Sequence, residues 1–146
     1  MLCHCGCNTT PDTPAANTFK WERFTQPELG YALDYPDICV LDKNNSLPVG
    51  AMFRWDGAPI IVVNYVDEQE GRNRGLWVRH QPVGEIKLGG KKGVKYVYDH
   101  CDGPFCMRTV SYVVEHRGRY LGLEFRTQNA ELDEVYRHMV GSFRFN

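Results

Sequence analysis

The sequence predicts an α+β domain: an antiparallel β-sheet with a C-terminal helix packed against it. Three observations carry this. In "RTVSYVVEHRGRYLGLEFRT", Val110, Tyr112 and Val114 alternate, an Arg-Gly turn follows, and Leu121, Leu123 and Phe125 alternate again, the pattern of a hairpin. "IIVVNYV" is β-branched and apolar at consecutive positions, so it reads as a central strand covered on both faces. Near the C-terminus, Leu132, Val135, Tyr136, Met139 and Val140 fall at i, i+3, i+4, i+7 and i+8, a single helical stripe.

A chain of 146 residues suits one domain. Lysine and arginine total 17 against 18 aspartates and glutamates, a net charge of −1. No excess of positive charge exists to release counterions from a polyanion, so a nucleic-acid partner is not expected. Aromatics at 12% exceed what disordered chains carry. No run of about 18 apolar residues occurs, so no membrane-crossing helix is predicted.

The elements follow in chain order. "NTTPDTPAANT" is small, polar and aperiodic, so residues 1–18 are predicted to be a flexible tether with a cysteine-rich start, and residues 19–146 the domain. "GYALDYP" alternates, with Tyr31, Leu33 and Tyr35 on one face, and Pro36 ends it. "AMFRWDGAPIIVVNYVD" reads as a hairpin turning at "DGAP". "GEIKLGG" and "KGVKYVYDH" follow as strands, and "LGGKKG" between them is a turn, lacking the spacing of a phosphate loop. For the helix, Asn129 is the expected N-cap, Glu131, Asp133 and Glu134 suit the positive end of the dipole, Arg137 and His138 the negative end, and Gly141 the C′ position. "SFRFN" returns as a last strand with Phe143 and Phe145 on one face.

The order of these segments resembles the PsbP-like domains, the group that includes the Mog1 and DcrB proteins and many bacterial lipoproteins. "GYALDYPDICVL" resembles their opening strand, "EIKLGGKKGVKYVY" a middle strand pair, "RTVSYVVEHRGRYLGLEF" their long hairpin and "AELDEVYRHMVGSFRF" their closing helix and strand. The resemblance runs from about Phe24 to Phe145. It implies a PsbP/Mog1-like layered sandwich and a non-enzymatic accessory or binding role, often at a membrane surface on the outer side. It implies no cofactor, and no metal or photosystem contact is carried over. One departure stands out: "EQEGRNRGLWVRHQPVG", where such domains carry a longer helix, holds glycines and a proline. A helix there is short at best, and cover for the second sheet face is in question.

The opening "MLCHCGCNTT" admits three readings. Gly6 before Cys7 and the tether after it suit a lipoprotein junction with Cys7 lipidated; His4 fits that pattern poorly, and the reading requires an apolar leader upstream of Met1. Cys3, His4, Cys5 and Cys7 could instead chelate Cu(I) or Zn²⁺, although cysteines alternating by one residue depart from structural zinc spacing. Plain thiols on a disordered arm are the third reading. The first places the protein at the bacterial cell envelope, anchored to the membrane; a genuine start at Met1 would make it a cytoplasmic DcrB-like adaptor or chaperone for a protein partner.

Cys101 and Cys106 flank a tight "DGPF" turn, close enough on paired strands for a disulfide in an oxidising compartment; free thiols are the alternative. His100 is adjacent to Cys101 and so on the opposite strand face, badly placed to activate it. His80, His116 and His138 are scattered, and no nucleophile and base converge, so no catalytic residue is assigned. The three tryptophans, Trp21, Trp55 and Trp77, read as packing groups. The loop "EQEGRNRGLWVRHQ" is nonetheless the expected contact region for a protein or small ligand, with Trp77 and Arg79 on its surface.

Overall fold

The computed structural model describes residues 19–42, 49–126 and 132–146. The tether over residues 1–18, Cys7 within it, and the expected N-cap Asn129 lie outside the described residues.

The strands are β1 (Trp21–Gln26), β2 (Tyr31–Pro36), β3 (Val40–Leu41), β4 (Ala51–Trp55), β5 (Ala58–Val66), β6 (Gly84–Leu88), β7 (Lys91–Asp102), β8 (Phe105–His116), β9 (Arg119–Phe125) and β10 (Arg144–Phe145). Helices α1 (Glu68–Asn73) and α2 (Asp133–Ser142) complete the order, with a 3-10 turn at Trp77–Arg79. Among the described residues these form two antiparallel sheets, one of seven strands in the order β3-β4-β5-β9-β8-β7-β6 and one of three in the order β1-β2-β10.

The hairpins turn where the sequence predicts. Asp56 and Gly57 join β4 to β5, and Arg117 and Gly118 join β8 to β9, all four at positive φ. Two consecutive positive-φ residues match the right-handed twist of the flanking strands. Strand β5 lies between β4 and β9 and is buried from Ile60 to Asn64, as its composition predicts.

The sheet register sorts side chains onto two faces. On the first, Ile61 and Val63 of β5, Leu121, Leu123 and Phe125 of β9 and Val114 of β8 meet Tyr31 and Leu33 of β2 and Leu132, Val135, Tyr136, Met139 and Phe143 of the C-terminal segment. This is the main core, covered by the small sheet and α2 together. Tyr136 stacks on Phe125 with ring centres 4.2 Å apart, and Tyr31 stacks on Phe143 at 5.3 Å. His116, buried on this face, pins the layers: its Nε2 donates to the Leu29 carbonyl at 2.6 Å and its Nδ1 accepts from Lys91 Nζ at 2.7 Å.

Helix α2 departs from the reading of its ends. Gly141 is not a C′ residue but lies within the last turn, and the helix runs on to Ser142. Tertiary contact extends it, because Ser142 Oγ accepts from the Asp34 backbone N–H at 2.8 Å and donates to the Met139 carbonyl at 2.9 Å. Arg137 and His138 are mid-helix rather than in the last turn; His138 stacks on Trp21 at 3.7 Å and faces Asp34 at 3.6 Å. The strands in "GYALDYP" and "SFRFN" form, with β1, a sheet of their own, and β1 and β3 have no counterpart among the expected elements.

The second face of the large sheet is covered by α1 and the turn after it. Asp67 caps α1, accepting from the Glu70 N–H at 2.8 Å. Trp77 then packs against Gly122 of β9, where a Cβ would come within 2.6 Å of the indole. The ring reaches the sheet because that position has no side chain. Gly122→Ala is therefore expected to destabilise the fold by about 1–3 kcal/mol. Gly141→Ala, where an added Cβ meets nothing within 4 Å, should stabilise it by about 0.5–1 kcal/mol. Chemical denaturation of both variants checks the opposite signs.

Candidate functional site

The expectation that Trp77 is exposed is corrected: it is 2% exposed and belongs to a second apolar cluster with Val66, Leu76, Tyr98 and Val113. The segment around it is rich in charge and glycine, but Trp77 and its neighbour Leu76 turn inward, the indole seated at Gly122. Arg79, two residues on, is exposed. A contact role for the pair therefore reduces to Arg79 on the surface and Trp77 as the anchor beneath it.

Two features occupy the second face. The first is a buried polar cluster centred on Glu124, which is fully buried. Its carboxylate accepts from the Tyr98 hydroxyl at 2.5 Å, from Ser111 Oγ at 3.2 Å and from the Asn64 side-chain amide, and the Arg126 guanidinium lies 3.7 Å away. Arg74 in turn donates to the Asn64 oxygen at 2.6 Å. A buried carboxylate is tolerable when donors and a cation surround it in this way. Burial first, then the Glu124 charge and hydrogen bond, pushes the Tyr98 phenol far above its ordinary range. His80 stacks on the Tyr98 ring at 4.7 Å and closes the cluster.

The second feature is an open trough. Helix α1 has six residues, about 9 Å of helix, and together with Trp77 it covers the β5–β9 side of the face. Across β8, β7 and β6 the sheet is left open among the described residues. The trough has a volume of about 800 Å³. Trp77 and Val78 form one wall, Val94, Tyr96, Val113 and Tyr120 the floor, and Lys92, Glu68 and Glu115 stand at its rim. A neighbouring depression of about 530 Å³ continues it over β6 past Glu85 and Lys87, sharing Lys92, Gly93 and Val94. An apolar floor with charges at the edge can bind an apolar side chain and orient it through its polar flanks.

The remaining expectations fall as follows. Cys101 and Cys106 face each other across the β7–β8 pair with Cα atoms 3.9 Å apart and form a disulfide. His100 is no partner for a thiolate, since both neighbouring sulfurs are bonded to each other. Among the described residues no group of three or more His, Cys, Asp or Glu side chains is placed to hold a metal ion, and no helix is long and apolar enough to cross a membrane.

The Glu124 cluster was missed in the sequence, yet a signal for it exists. Asn64 in "VVNYV" and Glu124 in "LGLEF" are polar residues inside strands otherwise apolar on both faces. A polar residue in such a strand needs a buried partner, and the two strands pair directly, Asn64 opposite Gly122 and Val62 opposite Glu124. The trough had no motif; it follows from the short cover.

No protein-family model and no curated protein matches the sequence. Solved structures do. The solution structure of cyanobacterial PsbP (CyanoP) from Synechocystis sp. PCC 6803 matches with a TM-score of 0.54 and 14% identity, covering 95% of this chain and 98% of that one. The fold is PsbP-like. A crystal structure from Bacteroides thetaiotaomicron VPI-5482 matches at TM-score 0.57 and 7% identity over 85% of this chain. The present chain spans 48% of that protein's length. At these identities the likeness concerns the fold.

Two outcomes test the electrostatics. Tyr98→Phe removes a donor from the buried Glu124 carboxylate and should cost about 1–3 kcal/mol, read as a lower urea midpoint with little change in slope. Stability should also fall in alkali. Burial raises the Cys39 thiol from 9.0 to about 12 and holds the Tyr31 and Tyr98 phenols protonated above their ordinary 10.0. The unfolded chain releases these protons first, so the folded state binds more of them and stability declines as pH rises from about 9 upward. Urea midpoints at about pH 8 and about pH 10.5 should differ in that direction.

Proposed function

We propose that this chain is a non-enzymatic accessory domain that works by binding, exported and held at the bacterial cell envelope by a lipid on Cys7. The observation that carries the binding reading is the trough. Its walls are fixed by the Trp77 anchor and its floor is aromatic and aliphatic, the make-up of a contact surface. The PsbP-like fold, an architecture that the sequence resemblance links to accessory and binding roles, supports the same reading. Export is supported by the Cys101–Cys106 disulfide, since both cysteines are exposed on the ribbon and such bonds persist in oxidising compartments. The Gly6–Cys7 junction followed by a polar, proline-containing segment supports the lipid anchor.

The test is intact-mass analysis of the native protein extracted from its own cells. The expected result is a chain beginning at Cys7, carrying lipid, recovered with membranes, and released to the soluble fraction in a Cys7→Ala variant. An unmodified chain beginning at Met1 with Cys101 and Cys106 reduced would overturn the export reading and select the cytoplasmic DcrB-like adaptor or chaperone instead.

A further inference from the structure

The β7–β8 ribbon outruns the sheet that carries it. On one side the last described β8 residue paired with β9 is Val110, opposite Phe125. On the other, the last β7 residue paired with β6 is Lys95, opposite Gly84. From Asp99 and Arg108 to the tip, among the described residues, the ribbon has no third strand beside it, an overhang of roughly 10 Å. A two-stranded ribbon is marginal in water, and here the Cys101–Cys106 disulfide clamps it. What the clamp preserves is unusual for a surface: Phe105 is 77% exposed and Met107 is 36% exposed. Neither contributes to the core of its own chain.

The register places these side chains. Phe105, Met107, Thr109, Ser111 and Val113 alternate onto one face of β8, so Phe105 and Met107 project from the same sheet face that holds the trough. The chain thus presents an apolar knob and an apolar trough on one face, separated along β8 by roughly 25 Å. The trough, at about 800 Å³, has room for both side chains. Lys92 and Glu115 stand at the trough rim, and among the described residues neither side chain has an ion-pair or hydrogen-bond partner.

We propose that two copies of this chain pair face to face, the ribbon tip of each seating Phe105 and Met107 in the trough of the other. Exchange on a shared face buries both apolar features at once and closes on itself as a two-fold pair, without leaving a free knob to propagate a polymer. The pairing uses the trough described above and is independent of the lipid anchor and of export.

The test is sedimentation velocity on the purified full chain, unreduced, from about 1 to about 300 µM, a range in which a pair of this kind is resolved. The expected result is a concentration-dependent dimer. Phe105→Ser on the exposed tip and Tyr120→Asp in the trough should each weaken it by about 30-fold or more. Mixing these two variants should bring a dimer back, because one retains the trough and the other the knob. Lys92→Glu, at an exposed rim position, serves as the second trough variant if Tyr120→Asp does not fold, with circular dichroism confirming the fold of each. A chain that stays monomeric throughout, a dimer that survives Phe105→Ser, or a mixture that remains monomeric would each overturn the proposal.

Discussion

The structure depends on how much cover the chain can supply to a seven-stranded sheet. Strands β5 and β9 are apolar on both faces and must be buried on both. The first face is served generously, by α2 and by the three-stranded sheet of β1, β2 and β10. Among the described residues the second receives only the segment between β5 and β6, and that segment spends its residues on a six-residue helix and a 3-10 turn. One contact makes this short cover sufficient for the centre of the sheet: the Trp77 indole packed on Gly122. A tryptophan removes more surface from water than any other single side chain could there, and the missing Cβ lets it approach the backbone. Beyond its edge no described residue covers the sheet, and the trough is the result.

The same limit explains the polar chemistry of that face. Directly beside the Trp77 seat, Glu124, Asn64, Ser111 and Tyr98 satisfy one another in the interior, with Arg126 and Arg74 bringing positive charge. A fully satisfied network fixes one arrangement of strands, since a register slip would strand a carboxylate among apolar groups. On the opposite face His116 has a comparable role with a single ring, joining the β1–β2 turn at Leu29 to the start of β7 at Lys91. Polar groups thus specify how the layers meet, while apolar burial supplies most of the stability. The stapled ribbon is the exception to this economy. It buries little, yet a covalent bond holds it.

Much of the fold was legible in the chain because it is written in local periodicity. The alternations in "GYALDYP" and "RTVSYVVEH", the Asp-Gly and Arg-Gly turns, and the helical stripe from Leu132 to Val140 each report a local backbone preference that tertiary packing leaves intact. Helix ends were less legible. Gly141 looks like a terminator by propensity, but Ser142 is held by β2 and the helix continues past it. The site was the least legible part. Trp77 lies in a segment rich in charge and glycine, and nothing near it in sequence announces a seat at Gly122. Tyr120 and Val94 are ordinary strand residues until the absence of cover above them makes them a floor.

The sequence by itself determined most of the strand and helix pattern, the hairpin turns and the shortness of any helix between β5 and β6. Each of these depends on neighbours within a few residues or across a single tight turn. Tertiary structure alone decided that β1, β2 and β10 form a separate sheet, that Trp77 is buried, that Glu124 has partners, and that knob and trough share a face. These depend on contacts between residues far apart in the chain. Their free energies come from which surfaces are left over once the strands have paired, and no local pattern records that remainder.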